Sequence, residues 1–171
     1  MMKHKEEKMA HLKHLMYIWV WVVIVTLGGH LLGIHCSWVY CLSVPLYFLM
    51  AGDMKERLLN IFCGGVTGML ITYVMCKGIV FLKPILGDVW GWAIPIVLAL
   101  AVLMLMMPFA PHFFNNVGIS YLVIATIDAG TFCEEIGSIL ICFIVGSAIY
   151  FAGIILIMKW IKAREKKKVH N

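Results

Sequence analysis

The sequence predicts an all-α membrane protein with six transmembrane passages, arranged as two inverted three-helix repeats with short second and fifth helices and both termini cytoplasmic. Three observations predict it. The 171 residues are 63% hydrophobic and only 13% charged, with a mean hydropathy of +0.95, whereas soluble domains carry about a quarter charged residues. The apolar residues fall into six runs divided by charged or Gly/Pro-containing turns, and most Lys and Arg residues gather at the chain ends. At about 20 residues per spanning helix, six passages consume nearly the whole chain and exclude a separate soluble catalytic domain. The segmentation is a basic cytoplasmic tail over 1–14, a first repeat over 15–88, a second over 89–158 and a basic cytoplasmic tail over 159–171.

The first helix, 15–32, opens with Tyr17, Trp19 and Trp21, amphipathic rings suited to a membrane interface. Nothing in it reads as a cleavable signal peptide, because no small-residue cleavage site closes the run. After Gly33, His35 and Ser37 a short second helix covers 38–51 and stops at the charged turn 52–57, since such charges cannot sit in hydrocarbon. The third covers 58–76 and is closed by Lys77, Lys83, Pro84 and Asp88; the fourth covers 89–107. Pro108 and Pro111 then discourage continuous helix. The fifth run, 117–128, is about a dozen residues long, 130–135 forms an acidic turn, and 136–158 is a long final span.

Twelve of the 14 Lys and Arg residues lie in the two tails and the 52–57 turn, and two, Lys77 and Lys83, lie on the other side. This bias sets both termini cytoplasmic and Glu134/Glu135 outside. It also accounts for the net charge of +5 without any nucleic-acid partner. The six cysteines lack Cys-x-x-Cys spacing, and five sit in apolar runs, where Cys behaves as a small hydrophobe. No disulfide framework and no metal site are expected.

A shift of 78 residues aligns Gly52 with Gly130, Gly68 with Gly146, and the basic turn 55–57 with the acidic turn 133–135. Each half holds three spans, so the copies are inverted. A twelve-residue helix rises about 18 Å at 1.5 Å per residue, against about 30 Å of hydrocarbon. Irregular backbone then lies at membrane depth, where it must be buried in protein or line a wet cavity. Paired short segments in corresponding halves point to a solute site near the midplane.

Candidate path residues cluster at the starts of the two short helices: His30, His35 and Ser37 at the first, His112, Asn115 and Asn116 at the second. Neutral imidazoles, hydroxyls and amides replace the hydration of a small polar solute; the same side chains also serve as caps or interfacial groups, with Ser37 or Asn116 as the cap. Asp128 is a carboxylate at the end of an apolar run, a functional candidate for binding a cation or proton, and two residues from Gly130 it also reaches the outer surface. Tyr47, Phe109, Phe113 and Phe114 are candidates for an apolar constriction, against the plainer reading of packing. Gly64, Gly65, Gly68, Gly146 and Gly153 are read as structural, permitting close helix contact.

Enzyme signatures are missing: there is no His-Glu-x-x-His, no Gly-x-Ser-x-Gly and no phosphate-cradling loop. No catalytic residue, metal ligand or cofactor is assigned. The stretch Leu32-Gly33, Ser37-Trp38, Pro45-Leu46-Tyr47-Phe48, Gly52, Leu58-Leu59 and Gly65, with Phe109-Ala110-Pro111, Phe113, Gly130, Gly146 and Lys159-Trp160, resembles the family of small bacterial inner-membrane proteins of unknown function represented by the enterobacterial protein YcdZ. The similarity covers roughly residues 15–160, and this chain departs from it in its longer charged N-terminal tail and in Asp128. The resemblance implies a multi-pass protein of the bacterial cytoplasmic membrane and a transporter without an assigned substrate.

The expected function is a channel or facilitator for a small, neutral polar solute passing between the two short helices. A cation path would want rings of acidic residues and an anion path Lys or Arg at depth, and neither pattern is present. The alternative is a non-transporting scaffold or accessory subunit that packs on partner proteins through its glycine faces and has a dry centre. Either is compatible with a homo-oligomer in the lipid bilayer.

Overall fold

In a computed structural model of the chain, residues 2–169 are described, with side chains from 16 to 164 except Asp128 and Lys162. All regular elements among them are helical: α1 (Met2–Leu31), α2 (Ser37–Leu49), α3 (Met54–Met106), α4 (Asn116–Ala125), a 3-10 turn (Thr126–Asp128), α5 (Ala129–Glu134) and α6 (Ile136–Val169). Met54–Met106 and, within α6, Ile136–Ile161 are long and apolar enough to cross a membrane; Met16–Leu31, α2 and α4 are shorter apolar helices. Large apolar side chains, including Val74, Phe81, Val89, Ile141 and Leu156, are exposed on the outside of the bundle.

Several boundaries differ from the sequence reading, each for a local reason. The tails are not separate from the outer helices: α1 extends back to residue 2 and α6 forward to residue 169. Lys, Glu, Met, Ala and Leu are strong helix formers, so a charge that keeps a residue out of hydrocarbon does not keep it out of a helix. The acidic turn 130–135 is mostly the helix α5. The third and fourth helices are arms of one element, α3, which breaks at Gly87 with φ 79° and ψ 172°. Only glycine takes that left-handed φ without strain. There the chain folds back, because a Cβ on Gly91 would run into the backbone of Leu82 and Lys83, and Gly78 faces Pro95. α3 is therefore a helical hairpin with arms 54–86 and 88–106, and Lys83 and Asp88 pair at 3.2 Å beside its tip.

Glycines set how closely the helices approach. A Cβ on Gly68 would collide with the Gly118 backbone, so α4 lies directly against the first arm of α3. On the other side of the bundle a Cβ on Gly146 would meet the Tyr40 ring of α2, and one on Gly153 the Trp21 ring of α1. Gly65 receives the Phe143 ring, which joins α3 to α6. Small residues at such crossings are how helices pack in bilayers, where no hydrophobic force separates helix from lipid. Trp21 Nε1 donates to the Tyr150 carbonyl at 3.1 Å and the Tyr150 hydroxyl to the Val22 carbonyl at 2.9 Å, fixing α1 on α6. The core between these contacts holds Val39, Ile61, Leu103, Val117, Tyr121 and Phe143, all fully buried.

Candidate functional site: the crevice between the two short helices

α2 and α4 run past each other in opposite directions. His35 and Cys36 just before α2, Trp38 in its first turn, Ile124 and Ala125 at the end of α4 and Ile127 in the 3-10 turn surround one cavity, completed by Thr131 and Phe132 of α5, Glu135 between α5 and α6, and Ile139 of α6. At the opposite end, Tyr47 near the close of α2 lies under Arg57 of α3, one turn from Asn60, which bonds Asn115 at the start of α4. The 13 residues of α2 separate the two ends by about 20 Å at 1.5 Å per residue.

The His35 end is open. Its cavity measures about 420 Å³, within the roughly 300–1,000 Å³ of small-molecule sites. The described lining is mostly apolar, and its polar side chains include the His35 imidazole, the Cys36 thiol, the Thr131 hydroxyl and the Glu135 carboxylate. His35 and Glu135 are exposed. Cys36, the residue before α2, makes no side-chain cap, and Cys142 Sγ donates to its carbonyl at 3.3 Å.

The His112 end is closed by bonded groups. Asn115 is 8% exposed; its Oδ1 accepts from the Val117 and Gly118 amides at 3.0 and 3.4 Å. Its Nδ2 donates to the carbonyls of Asn60 (3.0 Å), His112 (3.0 Å) and Pro111 (3.2 Å). His112 Nδ1 and Asn60 Oδ1 are 2.5 Å apart, so the 107–115 segment is stitched to the first arm of α3 through side-chain amides. The Arg57 guanidinium stands 5.6 Å from the Tyr47 ring centroid while its Nε donates to the Gly52 carbonyl at 2.9 Å. The Tyr47 ring itself packs 5.2 Å from that of Phe151.

Between the two ends the crevice is filled. The Tyr121 hydroxyl of α4 donates to the Val39 carbonyl of α2 at 2.6 Å, and Tyr121 packs edge-on to Phe143 at 5.2 Å. Ser43 donates to the Tyr40 carbonyl and accepts from Ser147 at 3.3 Å. No buried side-chain polar atom among the described residues lacks a partner.

The sequence candidates thus divide between the ends. His35 belongs to the open end; Tyr47, His112 and Asn115 belong to the closed end. His30 is exposed in the last turn of α1 and Ser37 is half-buried in the first turn of α2. Both expected caps shift by one position: Cys36 precedes α2 in place of Ser37, and Asn115 caps α4 in place of Asn116, which is exposed. Tyr47, Phe109, Phe113 and Phe114 do not converge. Phe109 is 80% and Phe113 51% exposed, and Phe114 faces an apolar groove between the arms of α3. Asp128 ends the 3-10 turn, and its side chain lies outside the described residues.

Beyond the sequence candidates the site also takes in Asn60, Arg57, Trp38 and Ala125, with Cys36, Thr131, Phe132 and Glu135 at the open end. Asn60 is an amide three residues past a charged turn, a signal available to inspection; Arg57, Trp38 and Ala125 carry none. Among the described residues no three His, Cys, Asp or Glu side chains gather to hold a metal. Set against protein-family models, curated proteins and solved structures, the chain matches none of them.

Proposed function

We propose that the chain spans the bilayer six times as two inverted repeats, in the manner of the YcdZ-like proteins it resembles, and facilitates passage of a small neutral polar solute between α2 and α4. The carrying observation is the open cavity of about 420 Å³ at one mouth of the crevice. The contacts support the inverted repeat. Under the 78-residue shift, the approach of Gly68 to Gly118 corresponds to that of Gly146 to Tyr40, because position 40 pairs with 118 and 68 with 146. Gly65 and Phe143 are themselves 78 apart and touch, as residues beside a pseudo-twofold axis must. Val39 pairs with Val117 and Ile61 with Ile139, and all four are buried. The carbonyls of Asn60 and Ser138, equivalent positions, each accept from a side chain at the start of a short helix, Asn115 and Cys36.

With α3 folded at Gly87, its second arm, 88–106, rises about 28 Å, close to the hydrocarbon thickness of about 30 Å. The short helices fall below it, so their flanking irregular segments lie at depth, which is tolerated where they are buried or line a cavity. The Lys and Arg bias turns the His35 end outward and the His112 end inward, in a bacterial cytoplasmic membrane.

The filled centre favours a second reading, a non-transporting scaffold that packs on partner subunits. Stopped-flow light scattering on proteoliposomes separates the two, comparing urea, formamide, glycerol, methylamine, acetate and simple salts with empty liposomes. Selective acceleration of one solute class is the expected result. No acceleration for any solute transfers the assignment to the scaffold.

A further inference from the structure

The open mouth has a chemical bias that its closed counterpart lacks. Of the ten described residues around the cavity, one is anionic, Glu135, and none is Lys or Arg. No described side chain pairs with the Glu135 carboxylate, since Lys83–Asp88 is the ion pair found among the described residues. Trp38 and Phe132 stand in the same wall, and aromatic faces attract ammonium groups. His35 and Thr131 add polar atoms at the rim, and the remaining wall is aliphatic apart from the Cys36 thiol. A carboxylate beside aromatic and aliphatic surface, in a space of about 420 Å³, suits a small organic cation and repels anions.

We infer that the cavity at the His35 end is a receptor site for a small protonated amine, held by Glu135 against the Trp38/Phe132 wall. This deepens the facilitator reading and rests on it for the transport step alone. The middle of the crevice offers Val39, Val117, Tyr121 and Phe143, none of them charged, so a cation carried further would meet the desolvation cost of a charge in a membrane interior. The amine therefore crosses as its free base. Its proton is released to bulk water at the same mouth, leaving neither charge nor proton to cross.

The cavity contains its own reporter, Cys36. The full-length wild-type chain is treated with a neutral methanethiosulfonate reagent, and the rate of Cys36 modification is followed by peptide mass spectrometry, which reads each cysteine separately. Methylammonium chloride is expected to slow Cys36 several-fold relative to equal sodium chloride, with formamide and sodium acetate inactive. In Glu135→Gln the unprotected rate stays near wild type and protection disappears; Trp38→Leu weakens protection while Glu135 remains. Equal protection by formamide or acetate, no protection at any concentration, or full protection in Glu135→Gln overturns the inference. Protection without methylamine flux in proteoliposomes upholds the site and removes the facilitator; flux of neutral amides without protection does the reverse.

Discussion

At the His35 end of the crevice the wall residues stand apart around an open cavity, whereas at the His112 end Arg57 covers Tyr47 and amides bind the chain to itself. Under the proposed repeat, Ala125 stands where Tyr47 does and Glu135 where Arg57 does, each pair being 78 apart. A buried methyl replaces a phenol ring, and a short carboxylate replaces a long guanidinium with its own carbonyl acceptor at Gly52. Leu46 and Leu49 against Ile124 and Ile127, or Ile61 against Ile139, change almost nothing in volume. Under that repeat these two substitutions, with Ser138 in place of Asn60 and Ser37 in place of Asn115, accompany the change from a closed mouth to an open one, and the charge at each mouth reverses with them.

The largest effect is expected from giving the open end the closed end's ring. Ala125→Tyr places a phenol in the cavity wall; Ala125 is 4% exposed, so overpacking costs about 1–3 kcal/mol. Solute flux should fall to that of empty liposomes while the protein still elutes as a monodisperse species, and undiminished flux would remove the cavity from the path. The reverse change, Tyr47→Ala, deletes the ring under Arg57 and beside Phe151. It should destabilise by about 3–5 kcal/mol, as large aromatic truncations do, and raise labelling of a cysteine placed at Asn116 by a reagent supplied from that side. Thermal unfolding and labelling rates check the two parts separately.

Smaller effects are expected at the closed end. Asn115→Ala removes the α4 cap and three carbonyl contacts; loss of the cap alone costs about 0.5–2 kcal/mol. Asn115→Asp keeps the cap acceptor and should recover part of that loss, as read by denaturation midpoint. Arg57→Lys keeps the charge but loses the Nε donor to Gly52 and the planar contact with Tyr47. The expected change is about 0.5–1 kcal/mol, with flux slightly raised because Lys closes the mouth less firmly.

The positions of the apolar helices were legible because a run of hydrophobic residues is a length measurement, and lengths translate directly into helix or turn. Helix ends were less legible: 2–14 and 159–169 are charged yet helical, since polarity and helical propensity are different properties. The break at Gly87 was hidden among Lys77, Lys83, Pro84 and Asp88, all of which suggested a loop, although only the glycine leaves helical geometry. Polar residues in apolar surroundings are visible in a sequence, which is why His35, His112 and Asn115, which lie at the two ends of the crevice, stood out. Asn115 and Asn116 were not separable, because adjacent amides are equivalent as sequence while only one can hold the cap geometry. Ala125 was invisible for a deeper reason: it matters by what it leaves empty. Phe109 and Phe113 suggested a constriction by type alone, and the turns of 107–115 leave them outward.

The most direct test uses Cys36, which lines the open mouth, as a plug site. Proteoliposomes that accelerate a solute are treated with a bulky, membrane-impermeant thiol reagent on the His35 side, and stopped-flow flux is compared before and after, with Cys36→Ser as control. Flux through the crevice between α2 and α4 should collapse in the wild type and persist in Cys36→Ser. Wild-type flux that survives complete modification of Cys36 would place the path elsewhere and contradict the assignment.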